Sequence, residues 1–413
     1  MKKIIVLLLL LLQLTQRAGE PIQTEALNDA KCEEATVEAR RKEADSEELN
    51  RYQEDFAVLW DALESSYPFL HALKPELGID IDALHDEFGA AMADVKNDAM
   101  FMCVLSRLFS EMHHFAHLDL LNYSFYQNSC CVYSACAETR PAHLQILRDE
   151  RLSEIYVFPS ETELADSNFQ YLTQNEASVT YYENEKALYI SIPTFEIEYE
   201  DKSLELLTEA LTQHPEIEHV IFDITKNSGG NTRFWNDLVE LFGGQYEETT
   251  RLFYQSGGLA EAFFPFYCDD SMPTEELSDA PAWAKELGLD RCILSGGSFD
   301  CDASGHAVFN KDVKRWVLTS EKVYSASESF AVFCKNSGWA TLVGTKTGGD
   351  GIGVDPVMVL LPNTGLLVRF SAFVGENSDG SMNAFACTTP DVELGKYADP
   401  LQACLKLIRE ESK

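Results

Sequence analysis

The sequence predicts an α/β fold, because runs typical of buried strands alternate with helical patterns along its second half. Residues 218–225 (E-H-V-I-F-D-I-T) form an apolar run of strand length, and a helical pattern follows from about Phe234 to Phe242. Residues 315–319 (R-W-V-L-T) repeat the strand pattern, and apolar residues recur at helical spacing from Phe330 onward. This alternation is typical of domains in which helices pack on a central sheet.

Residues 1–18 are predicted to be a signal peptide. Two lysines follow Met1, and the apolar stretch from Ile4 to Leu12 is too short to span a bilayer. We therefore expect a mature chain that starts near Gly19, is secreted or periplasmic, and does not insert into a membrane. An uncleaved anchor is the alternative, because the cleavage region lacks a small-x-small pattern.

The next part of the chain is predicted to be a polar tether followed by a helical module. Residues 19–51 are charged and almost free of aromatic side chains, which is typical of a tether. Residues 52–122 contain three amphipathic helical patterns and end in a stretch rich in histidine. These three patterns lie at about residues 52–65, 81–95 and 99–112.

The predicted core spans residues 187–413. Before it, residues 123–186 are predicted to form a small strand-rich spacer. Within it, residues 246–314 are predicted to be an inserted cap, because long insertions in compact domains are usually lids or disordered. This insertion holds three cysteines, and we expect disulfides to staple it over the neighbouring cleft. A hairpin at residues 357–373 and a helix at residues 400–409 complete the core.

Composition excludes several classes of partner. The formal net charge of −36 argues against nucleic acid and anionic membranes as partners. Eleven cysteines suit an exported protein with disulfides or buried thiols. Their clusters lack the paired C-x-x-C spacing of a zinc site, so we expect no metal and no cofactor. The oligomeric state cannot be inferred.

Ser325 is the candidate nucleophile. It lies between a predicted strand and a predicted helix, where a sharp turn would hold its hydroxyl and the following N–H groups could stabilise an oxyanion. The alternative is that Ser325 caps the helix. A second motif, K-N-S-G-G-N at residues 226–231, follows the other strand run. Its two glycines allow the backbone to approach a ligand closely.

These motifs resemble the core of the tail-specific (C-terminal-processing) serine protease family. The resemblance rests on D-I-T-K-N-S-G-G at residues 223–230, S-A-S-E at residues 325–328 and V-G-T-K-T-G-G at residues 343–349. The downstream pieces L-P-N-T-G and T-T-P-D-V also fit in order and spacing. The resemblance covers roughly residues 187–394 and implies a ClpP/crotonase-like spiral core that acts on polypeptides.

Many members of that family carry a peptide-binding PDZ domain before the core. The carboxylate-binding loop of such a domain depends on glycine, and this chain has no glycine between Gly89 and Gly229. We therefore expect no competent PDZ module in the predicted spacer.

The two branches of the family activate the serine differently. In the main branch the base is a lysine 25 residues after the serine, and here that position holds Asp350. An aspartate is far too weak a base for a serine unless it is strongly desolvated. Lys346 is an alternative base nearby. The tricorn-type branch uses a histidine from before the core, and His117 matches its place, with His113 and His114 as competitors.

The tricorn-type branch also uses a glutamate near the C-terminus. The corresponding position holds Ala384. Glu376, Asp379 and Asp391 are nearby carboxylates, and none matches the family position. The predicted serine–histidine pair therefore lacks an orienting acid, and such a pair turns over more slowly by orders of magnitude.

The resemblance also assigns the oxyanion hole and two structural residues. The donors would be a backbone N–H of Gly229 or Gly230 together with that of Ala326. Asn227 is expected to shape the glycine loop, and Glu328 is expected to fix the start of the helix.

The sequence therefore predicts an exported serine endopeptidase that cleaves unfolded or tail-exposed polypeptides. A catalytically silent family member that binds peptides or apolar ligands is the main alternative, and an esterase with the same serine–histidine chemistry is another. Whether His117 and Ser325 meet in the folded chain separates these possibilities.

Overall fold

The structure is a computed structural model that describes residues 49–156, 175–300 and 312–411. The predicted signal peptide and nearly all of the predicted tether lie outside these residues. In the described part, no helix is both long and apolar enough to cross a membrane. The helices there are α1 (Arg51–Ser66), α2 (Leu73–Leu77), α3 (Ile81–Ala91), α4 (Asp98–Glu111), α5 (Tyr123–Ala135), α6 (Pro141–Leu147), α7 (Glu200–Gln213), α8 (Thr232–Glu240), α9 (Leu259–Phe263), α10 (Pro265–Asp269), α11 (Ala282–Glu286), α12 (Ala326–Ser337), α13 (Asn383–Ala386) and α14 (Pro400–Glu411).

The strands of the described residues form three sheets. In chain order they are β1 (Asp119–Leu120), β2 (Ser178–Tyr182), β3 (Ala187–Ser191), β4 (His219–Asp223), β5 (Gln245–Tyr254), β6 (Met272–Pro273), β7 (Arg291–Asp300), β8 (Lys314–Thr319), β9 (Thr341–Gly344), β10 (Val357–Leu360), β11 (Leu367–Phe370), β12 (Val374–Glu376) and β13 (Val392–Glu393).

The central sheet has the strand order β13-β9-β8-β4-β3-β2, and all neighbours are parallel except the pair β2–β3. Side chains of β4 alternate between two apolar layers. Val220 and Phe222 pack with Phe330 of α12, whereas Ile221 packs with Leu405 of α14. Because both faces of the sheet are covered by helices, its strands read as continuous apolar runs. The predicted α/β class is confirmed.

The N-terminal region is helical, as the predicted fold class requires. Asn50 caps α1, because its side chain accepts the N–H groups of Tyr52 and Gln53 while the Gln53 side chain accepts the N–H of Asn50. One face of α1 is buried, with Leu59 and Leu63 fully enclosed in the largest apolar cluster.

Residues 123–147 are helical where the sequence predicted strands. Tyr and Val favour strands in isolation, but Asn122 accepts the N–H of Phe125 and so caps a helix instead. The side chains of Tyr126, Cys130 and Tyr133 recur at helical spacing and are buried, which stabilises α5. Residues 157–174 of the predicted spacer lie outside the described residues, and the expectation about a PDZ module stays a prediction.

The described part of the predicted cap at residues 246–314 contributes strands to a second sheet, which β12 completes in the order β12-β5-β7-β6. Its centre is the long antiparallel pair β5–β7. Cys268 and Cys292 are free, buried thiols, so the predicted disulfide staple is not found in the described part of the insertion. Burial of side chains such as Phe253 in the main apolar cluster holds the sheet instead. Cys301 lies outside the described residues.

A third sheet, in the order β1-β11-β10, connects the N-terminal helices to the core. Asp119 of β1 pairs with Arg369 of β11. The turn between β10 and β11 is held by the buried Asp55 of α1, whose carboxylate accepts the N–H groups of Asn363 and Thr364 at 2.8 Å each. These contacts fix the segment just before β1 against the core.

Candidate active site

Ser325 lies one residue before α12. Its backbone has φ 59° and ψ −125°, a conformation that costs a non-glycine residue on the order of 1–3 kcal/mol. The side chain makes no capping hydrogen bond to α12, so the capping alternative is wrong. Instead, Ser325 Oγ lies 3.0 Å from Nε2 of His117. The strained turn therefore aims the hydroxyl away from its own helix and at an imidazole.

His117 ends the short 3₁₀ turn Phe115–His117 that follows α4. Its N–H donates to the hydroxyl of Tyr324 at 3.1 Å. The carbonyl of Phe115 accepts the hydroxyl of Tyr67 at 2.8 Å, and the carbonyl of Ala116 accepts the N–H of Ser371 at 2.8 Å. These bonds place the ring of His117 beside Ser325.

The competing histidines do not reach the serine. His114 Nδ1 lies 3.5 Å from the Asp119 carboxylate, and the side chain of His113 is exposed. Lys346, the alternative base, is exposed and is not among the residues that line the cleft around Ser325.

Asp350 supplies the carboxylate that the sequence reasoning missed. Its Oδ2 lies 2.5 Å from Nδ1 of His117 and also accepts the hydroxyls of Tyr324 and Ser371 at 3.0 Å each. Nδ1 of His117 therefore faces a carboxylate and Nε2 faces the serine. This arrangement favours the tautomer with its proton on Nδ1, which leaves Nε2 free to accept the serine proton.

The electrostatic environment keeps Asp350 ionised. Burial alone would raise the pKa of its carboxyl group, since only 6% of the side chain is exposed. The charge and hydrogen bond of His117 and the hydroxyls of Ser371 and Tyr324 outweigh that effect and lower the pKa below its ordinary value. A carboxylate with this pKa can stabilise an imidazolium next to it.

The three carboxylates near the C-terminus serve other contacts. Glu376 pairs with Arg251 in the second sheet. Asp379 accepts the N–H of Ser381, and Asp391 accepts the N–H of Leu342 and pairs with Lys335. In the part of the chain that the structure describes, no three His, Cys, Asp or Glu side chains converge as metal ligands would.

Two backbone N–H groups beside Ser325 are open to an oxyanion. Neither Gly230 nor Ala326 donates its N–H to an acceptor among the described residues. Both residues line the cleft that contains Ser325 Oγ. Residue 230 must also be glycine, because a Cβ there would lie 2.2 Å from the carbonyl carbon of Phe195.

Gly229, the alternative donor, has a different part. Its N–H donates to Oδ1 of Asn227 at 2.9 Å, so it is not available to an oxyanion. With φ +113°, it adopts a conformation suited to glycine, and a Cβ would lie 2.9 Å from the Tyr324 carbonyl. Gly229 therefore permits the close approach of the glycine loop to the serine turn.

Asn227 and Glu328 are both fully buried. Asn227 Nδ2 donates to the backbone carbonyl of Ile192 at 3.1 Å. The backbone carbonyl of Asn227 accepts the hydroxyl of Ser327 at 2.6 Å. Glu328 Oε1 accepts the amide of Asn383 at 2.9 Å and a hydroxyl from the loop before β13. Burial raises the pKa of Glu328.

A cleft of about 610 Å³ opens from this set of side chains. One wall comes from α5 and the other from the glycine loop and β11. The site combines a serine hydroxyl, an imidazole and a carboxylate in one hydrogen-bonded line, with open N–H donors beside them. This arrangement is typical of hydrolases that use a covalent intermediate.

The class of protein is identified by comparison with known families. The model of Peptidase family S41 matches residues 186–394, about half of the chain. The chain therefore belongs to peptidase family S41 and is a hydrolase of the peptidase class, for which polypeptides are the substrates. Among curated proteins, none matches the chain.

Solved structures share the fold over most of the chain. A candidate peptidase from Parabacteroides merdae ATCC 43184 is 16% identical at a TM-score of 0.55, covering 87% of this chain and 97% of its own. Mature CPAF is 13% identical at a TM-score of 0.51, covering 88% of this chain and 98% of its own. At such identities the likeness shows the fold alone.

The position of Asp350 in the sequence contains a clue to its contact with His117. The family's lysine and a histidine base are alternatives, so a chain that has the histidine does not need the lysine. An acidic residue at the vacated position, between Gly349 and Gly351, is then a candidate partner for the histidine. Tyr324 and Ser371 have no comparable signature, because hydroxyl residues are common throughout the chain.

Proposed function

We propose that this protein is an exported serine endopeptidase that cleaves unfolded or tail-exposed polypeptides. In this proposal Ser325 is the nucleophile, His117 is the general base and Asp350 orients the histidine. The observation that carries the proposal is the line of contacts from Ser325 Oγ to His117 Nε2 at 3.0 Å and from His117 Nδ1 to Asp350 Oδ2 at 2.5 Å.

The reaction follows from this geometry. Ser325 Oγ attacks the carbonyl carbon of the scissile peptide bond while His117 Nε2 takes the hydroxyl proton. The carbonyl oxygen becomes an oxyanion that accepts the N–H groups of Gly230 and Ala326. The C–N bond then breaks, and His117 returns the proton to the leaving amine. Water hydrolyses the acyl-enzyme by the same proton transfer through His117, which restores the Ser325 hydroxyl.

The site supports a serine–histidine chemistry of the tricorn type rather than the serine–lysine chemistry of the main branch. The position of the main-branch lysine holds Asp350, and that side chain lies on Nδ1 of His117 rather than in contact with Ser325. The acid thus comes from a different place in the chain than the glutamate of the tricorn-type branch, which would fall at Ala384.

The silent alternative is less well supported. A protein that only binds peptides has no use for a strained Ser325 backbone, an imidazole within 3.0 Å of the hydroxyl and a buried carboxylate behind that imidazole. The strained backbone of Ser325 carries a cost in stability that catalysis explains and binding does not.

Labelling with a fluorophosphonate probe tests the assignment of the nucleophile. We expect the wild-type protein to be labelled and to cleave casein, and we expect Ser325→Ala to abolish both. Ser337→Ala, at the far end of α12, removes a hydroxyl that donates to the carbonyl of Phe333 and accepts the N–H of Trp339, and it should keep both activities. Resistance of the wild-type protein to the probe, together with peptide binding, would establish the silent alternative.

Export is proposed from the pattern of residues 1–18. Mass spectrometry of the N-terminus of material recovered outside the cytoplasm should find a chain that starts near Gly19. Intact Met1 in a cytosolic fraction would contradict the proposal.

A further inference from the structure

Arg369 lies in the wall of the cleft close to the proposed catalytic residues. It belongs to β11, which ends at Phe370, and Ser371 follows directly in the chain. Ser371 Oγ lies 3.1 Å from Nδ1 of His117. Arg369 lines the same cleft as Ser325, so its guanidinium is within the reach of a bound polypeptide that Ser325 could attack.

The guanidinium of Arg369 has no anionic partner. Across residues 49–156, 175–300 and 312–411 it makes neither a salt bridge nor a hydrogen bond, and its Cζ lies over the ring of Phe125 at 3.8 Å from the centroid. Arg140, another arginine of this cleft, pairs with Asp355 at 2.6 Å. A half-buried cation without a partner is costly, so an unpaired guanidinium in a substrate cleft indicates a partner supplied by the ligand.

The nearest acidic side chains do not fill this role. Asp119, the β-sheet partner of Arg369, has its Oδ1 3.5 Å from His114 and acts on the guanidinium only at longer range. Glu196 accepts the amide of Asn128 at 3.2 Å and, like Asp119, acts on the guanidinium only at longer range. Both acids compensate the charge of Arg369 in part, and neither occupies its donors.

We propose that Arg369 is a specificity-determining residue that binds a carboxylate of the polypeptide substrate in the cleft beside Ser325. This inference rests on the proposed peptidase function and adds the chemistry of the preferred substrate. A guanidinium presents parallel N–H donors that match a carboxylate, and the stacked ring of Phe125 covers one of its faces while leaving its edges open.

The net charge of the chain restricts the kind of ligand. With a formal charge of −36, the protein as a whole repels acidic polypeptides. A single arginine in the cleft therefore selects one carboxylate at a defined position rather than a run of acidic residues. That carboxylate is either an acidic side chain or the α-carboxylate of the substrate's C-terminus, since both present the same two oxygens.

Matched peptides distinguish the two sources. A fluorogenic peptide that the protein cleaves is chosen from a casein digest and prepared in three forms: unchanged, with a C-terminal amide, and with each Glu or Asp changed to Gln or Asn. We expect one of the two modified forms to lose about 10- to 100-fold in kcat/KM, as expected for a lost charged hydrogen bond, with most of the loss in KM. The modified form with the reduced kcat/KM shows whether the bound carboxylate is the C-terminus or an acidic side chain.

Variants of Arg369 test whether this residue makes the distinction. Arg369→Gln should bring the ratio of kcat/KM between the unchanged and the modified peptide close to one. Arg369→Lys should keep an intermediate ratio, because lysine retains the positive charge but lacks the two parallel N–H donors of a guanidinium. Arg107→Gln removes an exposed arginine that pairs with Glu87 on the N-terminal helices and should keep the wild-type ratio.

The same peptides, bound to Ser325→Ala and measured by fluorescence anisotropy, separate this inference from the proposed function. A preference for the carboxylate form in binding, without labelling or cleavage by the wild-type protein, would leave the inference standing and remove the peptidase proposal. Equal binding and equal cleavage of all three forms by a protein that labels at Ser325 would overturn the inference, whether or not the Arg369 variants fold.

Discussion

The nucleophile side and the base side of the active site are held in place by different means. On the nucleophile side, the loop after β4 and the turn before α12 contact each other through backbone groups. Ser327 donates to the carbonyl of Asn227 at 2.6 Å, and Gly229 packs so closely on Tyr324 that no side chain fits between them. This side is assembled from the ends of neighbouring strands in one sheet.

On the base side, the segment of residues 113–117 has four non-glycine residues with positive φ, namely His113, His114, Ala116 and His117. Such conformations persist only where surrounding contacts impose them. Here those contacts are hydrogen bonds with Tyr67, Tyr324 and Ser371, which come from three distant parts of the chain. The proposed nucleophile is thus positioned by the core, whereas the proposed base depends on contacts with distant parts of the chain. Changes on the base side should therefore reduce turnover more than stability.

The largest effect is expected for Asp350→Asn. The amide keeps the shape of the side chain but no longer fixes the proton of His117 on Nδ1, so kcat should fall by roughly 10⁴-fold. Peptide binding to the cleft should change little. Steady-state kinetics on a casein-derived peptide measure both. Asp379→Asn, a carboxylate in the turn after β12, is the matched control and should retain wild-type kcat. A loss below tenfold would mean that Asp350 does not orient the base.

Asn227→Ala tests the nucleophile side. It leaves the N–H of Gly229 and the carbonyl of Ile192 unpaired, so the free energy of unfolding should fall by about 1–3 kcal/mol. The glycine loop then loses its register on Ser325, and misplacing one oxyanion donor should lower kcat by roughly 10²-fold. Asn97→Ala removes the cap of α4, far from the site, and should cost about 1 kcal/mol without loss of kcat.

Thermal melts and kinetics on both asparagine variants decide the outcome. If Asn227→Ala is destabilised but keeps wild-type kcat, the loop does not contribute an oxyanion donor, and the assignment of Gly230 is wrong.

Tyr324→Phe tests the base side. The hydroxyl accepts the backbone N–H of His117 at 3.1 Å and donates to Asp350 at 3.0 Å, so its loss loosens both the backbone that carries the imidazole and the carboxylate beside it. We expect kcat to fall on the order of tenfold with KM nearly unchanged. Tyr52→Phe removes a tyrosine–aspartate hydrogen bond of the same kind, to Asp98, remote from the site, and should leave kcat unaltered. Equal kcat values for the two variants would show that the base segment is held without Tyr324.

The same difference explains what the sequence could predict. The strands, the glycine loop and Ser325 are encoded in short continuous runs, because buried strands are apolar throughout and the turns need glycine. The α/β class follows from those runs. His117 could be proposed only from a family resemblance, since nothing local distinguishes it from His113 or His114.

The remainder of the site depends on long-range contacts. The local pattern around Asp350 indicates only a missing lysine, because the proposed role of its carboxylate depends on a histidine 233 residues away in the chain. The helices at residues 123–147 were missed because a single cap, Asn122, outweighs the strand preference of the residues after it. The unpaired state of Arg369 becomes visible only when its neighbours Phe125, Asp119 and Glu196, which come from distant parts of the chain, are known.

Glu328→Gln is expected to have the smallest effect, and the effect should depend on pH. Burial raises the pKa of Glu328 in the folded protein above its ordinary value of 4.5, so the folded state holds the proton more tightly than the unfolded state does. The stability that this proton contributes is present below pH 4.5 and is lost as the pH rises through the raised pKa. Glutamine cannot ionise and does not lose it. The Tm of Glu328→Gln relative to wild type should therefore rise between pH 4.5 and pH 8.

Glu328→Ala is the matched variant for this test. It removes the acceptor of Asn383 and Thr388 at every pH, which should lower the free energy of unfolding by about 1–3 kcal/mol. Thermal melts of the wild-type protein and the two variants at several pH values provide the measurement. If the difference in Tm between Glu328→Gln and wild type is the same at all pH values, Glu328 does not ionise in this range. Its part in the motif would then be that of a neutral hydrogen-bonding group joining α12 to the loop before β13.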